Sequence, residues 1–120
     1  MHNVLVVDDS PSMRSMISLT LGQAGYQTSE AVDGVKALVA AREDPFDLVI
    51  TDINMPEMDG IQLIKELRGI KQYKFTPILV LTTESGTDMK MKGKAAGATG
   101  WIVKPFDPDK LLFALSRVLD

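Results

Sequence analysis

The 120-residue chain has no cysteine and only one histidine. The first absence excludes disulfides, thiolate zinc centres and a cysteine nucleophile. The histidine, His2, sits at the frayed start and is read as an exposed residue. No stretch approaches the roughly 18 consecutive apolar residues of a membrane span, and the N-terminus lacks the charged-then-apolar pattern of a signal peptide, so the expected location is the cytoplasm. Charge of one sign is scarce too: the formal net charge is -3, which gives no global case for nucleic-acid binding. With 45% hydrophobic and 24% charged residues, the chain reads as one globular domain over residues 1–120.

Short apolar runs recur at Val4–Val7, Leu48–Ile50, Ile78–Leu81 and Trp101–Val103. They lack alternation, as strands covered on both faces do. A fifth run, Gln27–Ala31, is polar enough for an edge strand. Helical patterns lie between the runs. Ser10 then Pro11 reads as N-cap and first helical residue, with Met13, Met16, Ile17, Leu21 and Ala24 along one face and Gly25 as the stop. Asp33 caps a second helix that buries Ala37, Leu38 and Ala41, and Asp59 with Gln62 resembles a capping box ahead of Ile61, Ile64 and Leu67. Thr87 or Asp88 is expected to cap a fourth helix, and Asp107–Pro108 opens a fifth that buries Leu111, Leu112, Leu115 and Leu119. Five strand-then-helix repeats with right-handed crossovers give a three-layer α/β/α sandwich around a five-stranded parallel sheet.

In such sheets the functional site lies beyond the carboxyl ends of the strands. Asp8 and Asp9 follow the first run, Thr51 and Asp52 the third, Thr82 and Thr83 the fourth, and Lys104 and Pro105 the last. Three carboxylates brought together repel one another and require cations. Lys104 is one. A set of oxygen ligands without His or Cys points to Mg²⁺, which also accepts phosphate oxygens.

These residues resemble the receiver domain of two-component response regulators, in particular its stand-alone chemotaxis (CheY-like) type. The resemblance rests on VLVVDDSPSMR at 4–14, AGYQTSEAVDGVKAL at 24–38, DLVITDINMPEMDGIQLI at 47–64, PILVLTTES at 77–85 and GATGWIVKPF at 97–106. It implies the flavodoxin-like strand order 2-1-3-4-5. It also implies that Asp52 is the phosphoacceptor, that Asp9, Asp52 and the Asn54 carbonyl ligate Mg²⁺ with Asp8 acting through a metal-bound water, and that Thr82 and Lys104 stabilise the phosphoryl oxygens. The Lys104–Pro105 bond is expected to be cis. Thr82 and Trp101 would form the switch, Trp101 standing where the family more often has Tyr or Phe; its larger indole needs a larger pocket and a partner for its N–H. Asn54 and Glu84 match the residues that speed dephosphorylation in fast-resetting members.

Lys90, Lys92 and Lys94 lie with Met89 and Met91 on the fourth helix, where Gly93 and Gly97 lower helix propensity. By resemblance, Lys90, Lys94 and Trp101 belong to a face that binds an acidic segment of the flagellar motor switch protein and overlaps the docking site of a sensor histidine kinase. The expected protein is a monomeric signalling switch without an output domain, acting on protein partners that include a possible phosphatase, with no nucleic-acid or membrane partner and no enzymatic turnover beyond its own Asp chemistry. The alternative within the family is a phosphate sink or an adaptor to a non-flagellar partner. A flavodoxin-like electron carrier is disfavoured by the acidic DDSPSM loop, and an aspartate-based phosphohydrolase by Asn54 in place of a second aspartate. The basic stretch RGIKQYKF at 68–75 reads as loop and solubility chemistry, with Gly69 ending the third helix and no role for Tyr73.

Overall fold

A computed structural model describes residues 2–119. Along the chain run β1 (Asn3–Val7), α1 (Pro11–Gln23), β2 (Gln27–Ala31), α2 (Gly34–Glu43), β3 (Leu48–Thr51), α3 (Gly60–Arg68), a 3₁₀ turn (Lys71–Tyr73), β4 (Ile78–Thr82), α4 (Thr87–Ala96), β5 (Gly100–Val103) and α5 (Pro108–Val118). The five strands form one parallel sheet in the order 2-1-3-4-5. This is the flavodoxin-like arrangement anticipated from the resemblance.

The unbroken apolar runs make sense once both faces are covered. Successive side chains of a strand point to opposite faces. Val4 and Val6 pack with Ile17 and Leu21 of α1 and Leu111 and Leu115 of α5, whereas Leu5 and Val7 pack with Ala37 and Leu38 of α2 and Leu63, Ile64 and Leu67 of α3. All of these are 5% exposed or less. Each large one stabilises the fold by about 1.5–3 kcal/mol, an upper estimate because the unfolded chain already hides some area. β2 has only Ala31 buried and lies at the edge, as its polar sequence requires.

Four of the five helices begin as the sequence indicates. The side chains of Ser10, Asp33, Asp59 and Asp107 accept hydrogen bonds from the backbone N–H groups of Met13, Lys36, Gln62 and Asp109. The capping box at α3 is only half made, because the Gln62 side chain donates to Glu66 instead of returning to the cap. At α4 the expectation fails: Gly86, not Thr87 or Asp88, is the N-cap, and no side chain satisfies the first turn. The predicted apolar face of α1 is also too wide. Met16 is 54% exposed and Ala24 lies at the exposed helix end, which leaves Ile17 and Leu21 as its fully buried anchors.

Candidate functional site

Register brings the acidic residues together. Val7 pairs with Thr51, so the chain leaves β1 and β3 side by side into Asp8 and Asp52, and the Asp52 N–H donates to the Val7 carbonyl at 3.0 Å. Asp8 is 1% and Asp52 8% exposed, while Asp9 faces solvent. One carboxylate oxygen from each of the three lies within 4.8 Å of the others.

Lys104 reaches this cluster from the end of β5. Thr82 pairs with Val103, and the Lys104 N–H donates to the Thr82 carbonyl at 2.7 Å. The Lys104–Pro105 peptide is cis. The Lys104 ammonium donates to Asp8 Oδ2 at 2.7 Å and to Asp52 Oδ2 at 2.9 Å. Burial works against its charge, but the two carboxylates outweigh burial and hold its pKa above the ordinary lysine range.

The remaining oxygens differ in occupancy. Asp8 Oδ1 accepts from the Ser10 N–H at 2.9 Å and Asp52 Oδ1 from the Ile53 N–H at 2.7 Å. The Asp9 carboxylate accepts no hydrogen bond from the described residues. Only oxygen donors, three carboxylates against one ammonium, and one carboxylate free to ligate form a set that fits a hard divalent cation such as Mg²⁺.

A second cluster runs away from Asp52 through Glu84. The Glu84 N–H donates to Thr82 Oγ1 at 3.3 Å, its side-chain Oε1 accepts from Asn54 Nδ2 at 2.9 Å, and its carbonyl accepts from Trp101 Nε1 at 2.9 Å. Thr82 is completely buried. The indole N–H thus has the partner its size led one to seek. Its room comes from Gly93: a Cβ there would lie 2.6 Å from the Trp101 ring. Beside the indole, Lys90 and Lys94 border a groove completed by Ala98, Thr99 and Gly100. Met89 packs against the core, whereas Met91 is 64% exposed.

Three residues escaped the sequence reading. Tyr73, given no role there, is fully buried, and its hydroxyl shares one proton between the carbonyls of Ala41 and Asp44, so the 68–75 stretch is not merely solubility chemistry. Arg68 donates through Nε and Nη2 to the Gly97 carbonyl and through Nη1 to those of Tyr73 and Thr76. Burial lowers its pKa from the usual value. Arg14 donates to the Asp8 carbonyl at 2.7 Å, immediately behind the acidic pair. An arginine inside an otherwise uncharged helix was the one signal that could have exposed it.

Comparison with known proteins bears on the same residues. A sequence profile described as the response regulator receiver domain matches residues 4–116. The chain is 44% identical over 119 residues to a chemotaxis protein CheY homolog of Campylobacter jejuni, covering 97% of this chain and 91% of that protein. It is similar to the structure of chemotaxis protein CheY4 of Vibrio cholerae, with 55% identity, a TM-score of 0.96 and 99% of both chains covered. The Thermotoga maritima response regulator TrrA, solved in complex with Mg²⁺ and BeF, is 34% identical with a TM-score of 0.89 over 99% of this chain and 100% of that one.

Proposed function

The chain belongs to the response regulator receiver family, and from that premise we propose that it is a phosphorylation switch with Asp52 as phosphoacceptor. The observation that carries this reading is the Lys104 ammonium bonded at once to Asp8 and Asp52, with Asp9 in the same crevice. The arrangement sets a carboxylate nucleophile against a cationic donor, and it leaves Asp9 open toward solvent, from which a phosphodonor would arrive.

Asp8, Asp9 and Asp52, with the Asn54 carbonyl, would hold Mg²⁺. Bound there, the ion would offset the excess negative charge and supply Lewis-acid attraction for phosphoryl oxygens; the similar TrrA was solved in complex with Mg²⁺ and BeF. A carboxylate oxygen of Asp52 attacks phosphorus, the bond from phosphorus to the histidine nitrogen of a kinase or to the oxygen of a small phosphodonor breaks, and its electron pair leaves with that group. Lys104 is placed to keep its contact with Asp52 as a P–O bond forms and to pair with a phosphoryl oxygen. Thr82 gives up its contact with the Glu84 N–H to reach the new phosphoryl group. Because Glu84 also holds the Trp101 N–H, that movement is passed to the groove between α4 and β5. Asn54 and Glu84, bonded to each other, stand two residues after Asp52 and Thr82, from where they would orient the hydrolytic water, which supports a short-lived acyl phosphate.

The partners proposed are a chemotaxis-type sensor histidine kinase and the flagellar motor switch protein, in the cytoplasm. The relatives' chemotaxis descriptions and the lysines beside Trp101 support this. No helix of the described residues is long and apolar enough to cross a membrane. A phosphate sink or an adaptor to another partner is separated from this by titrating an acidic motor-switch peptide against both phosphorylation states; equal affinities would overturn the motor assignment. For the switch itself, acetyl phosphate with Mg²⁺ is expected to add one phosphate to the wild type, to change Trp101 fluorescence, and to do neither in Asp52→Asn. No mass increase with Mg²⁺ present would overturn the phosphoacceptor reading.

A further inference from the structure

Asp9 is the one carboxylate of the acidic cluster that nothing among the described side chains holds, yet one of its oxygens lies within 4.8 Å of oxygens of Asp8 and Asp52. Its direction is set by its backbone. The Asp8 carbonyl and the Asp9 N–H share one planar peptide unit, so rotation of that unit swings the Asp9 Cα–Cβ bond. Arg14 fixes the unit from behind. Its Nη1 donates to the Asp8 carbonyl at 2.7 Å, while Nε donates to Glu30 Oε1 at 3.2 Å. Glu30 Oε2 in turn accepts from the Ser18 hydroxyl at 3.1 Å. The Arg14 side chain is 14% exposed, and Glu30 lies on the edge strand β2 opposite Val6. The preceding peptide is held too, since the Asp8 N–H donates to the Ala31 carbonyl at 3.2 Å, so α1 and β2 grip Asp8 from its two sides.

We infer that Arg14, braced by Glu30 and Ser18, is a positioning residue for the cation site: it orients the Asp8–Asp9 peptide so that the Asp9 carboxylate faces Asp52 before a cation arrives. The inference rests on the receiver reading and adds to it a residue on the far side of the acidic turn. Coulomb's law makes the test sharp, because positioning and charge predict opposite signs. Arg14 is a cation close to a cation site, so by charge alone its removal tightens Mg²⁺ binding. As an orienting group its removal weakens binding, by about 10-fold or more if it resembles other groups that orient metal ligands.

The experiment is Mg²⁺ titration by calorimetry of the wild type, Arg14→Ala, Arg14→Lys, Glu30→Ala and the Arg14→Ala/Glu30→Ala double variant, each also melted in EDTA. Expected are weaker Mg²⁺ binding in Arg14→Ala, partial weakening in Glu30→Ala, and a double variant no worse than Arg14→Ala, since Glu30 acts through Arg14. Arg14→Lys keeps the charge but lacks the two-armed fork and is expected to stay weakened. Mg²⁺ affinity unchanged or raised in Arg14→Ala, or fully restored in Arg14→Lys, overturns the inference. Should Arg14→Ala fail to fold, Arg14→Lys and Glu30→Ala decide alone. Absence of Mg²⁺ binding in the wild type is a different result, and it overturns the receiver reading instead.

Discussion

Two neighbouring helices on one face of the sheet are built to opposite specifications. α3 begins at a side-chain cap, Asp59, buries Gly60, Leu63, Ile64 and Leu67, and ends in Arg68, which like Tyr73 of the following turn is tied to backbone carbonyls. α4 begins at Gly86 without a side-chain cap and buries only Gly93 and Ala96. They are joined where Arg68 holds the Gly97 carbonyl, at the end of α4 away from Asp52. The end of α4 nearest Thr82 and Glu84 is therefore the weakly held one. A segment with few buried apolar contacts and unsatisfied first-turn amides opens at low free energy. The contrast teaches that α3 is packed firmly against the backbone of Asp52, while the end of α4 beside Thr82 and Glu84, the region proposed to respond, is held by little.

The contrast can be broken most severely at the start of α3. A Cβ on Gly60 would collide with the Asp52 carbonyl oxygen and lie 2.9 Å from Ile53 Cα, both backbone atoms that cannot swing aside. Gly60→Ala is expected to cost about 3 kcal/mol in urea unfolding and to slow phosphorylation by acetyl phosphate, since the acceptor backbone must shift. A wild-type midpoint would show that the approach of α3 to Asp52 is not tight.

A smaller loss is expected in the turn after α3. Tyr73→Phe leaves the Ala41 and Asp44 carbonyls without their shared donor and should cost about 1–2 kcal/mol. The pH dependence has a defined sign. Burial raises the Tyr73 phenol above its ordinary value of 10.0, so its contribution is complete below that pH, where both states are protonated. At higher pH the unfolded chain loses the proton first, and stability falls until the folded phenol ionises too. Thermal melts across this alkaline range should show a shallower decline in Tyr73→Phe than in the wild type; parallel declines would assign the loss to other groups.

The smallest effect sharpens the contrast from the α4 side. Gly86 has φ -68° and ψ 143°, open to any residue, and an added Cβ meets nothing within 4 Å. Gly86→Ser supplies the missing cap and is expected to stabilise by a few tenths of a kcal/mol, read as slower hydrogen exchange in the first turn of α4. Unchanged exchange there would mean that the absent cap is not what loosens the helix.

How much of this was legible depended on the distance over which each feature is decided. Asp8, Asp9, Asp52 and Lys104 could be read because each follows an apolar run, and a parallel sheet sends all such positions to one edge. Caps at Ser10, Asp33, Asp59 and Asp107 were equally plain, since a cap acts within three residues of itself. Arg68 and Tyr73 were not, because their partners are backbone carbonyls, Gly97 for one and Ala41 and Asp44 for the other lying about 30 residues away, that no residue type announces. Met16 was misplaced for a related reason: helical spacing defines a face, but only the packing of α1 on the sheet fixes how wide the buried part is.

By itself the sequence determined the alternation of strands and helices, the edge at which polar groups gather, and the chemistry those groups can perform, because hydrophobic period, capping and side-chain type are local properties. Only the tertiary structure decided that Lys104 bridges two carboxylates, that Glu84 links Asn54, Thr82 and Trp101, and that Arg14 stands behind Asp9. Those arrangements depend on strand register and on backbone carbonyls brought together from distant parts of the chain, and a backbone carbonyl is the same in every residue.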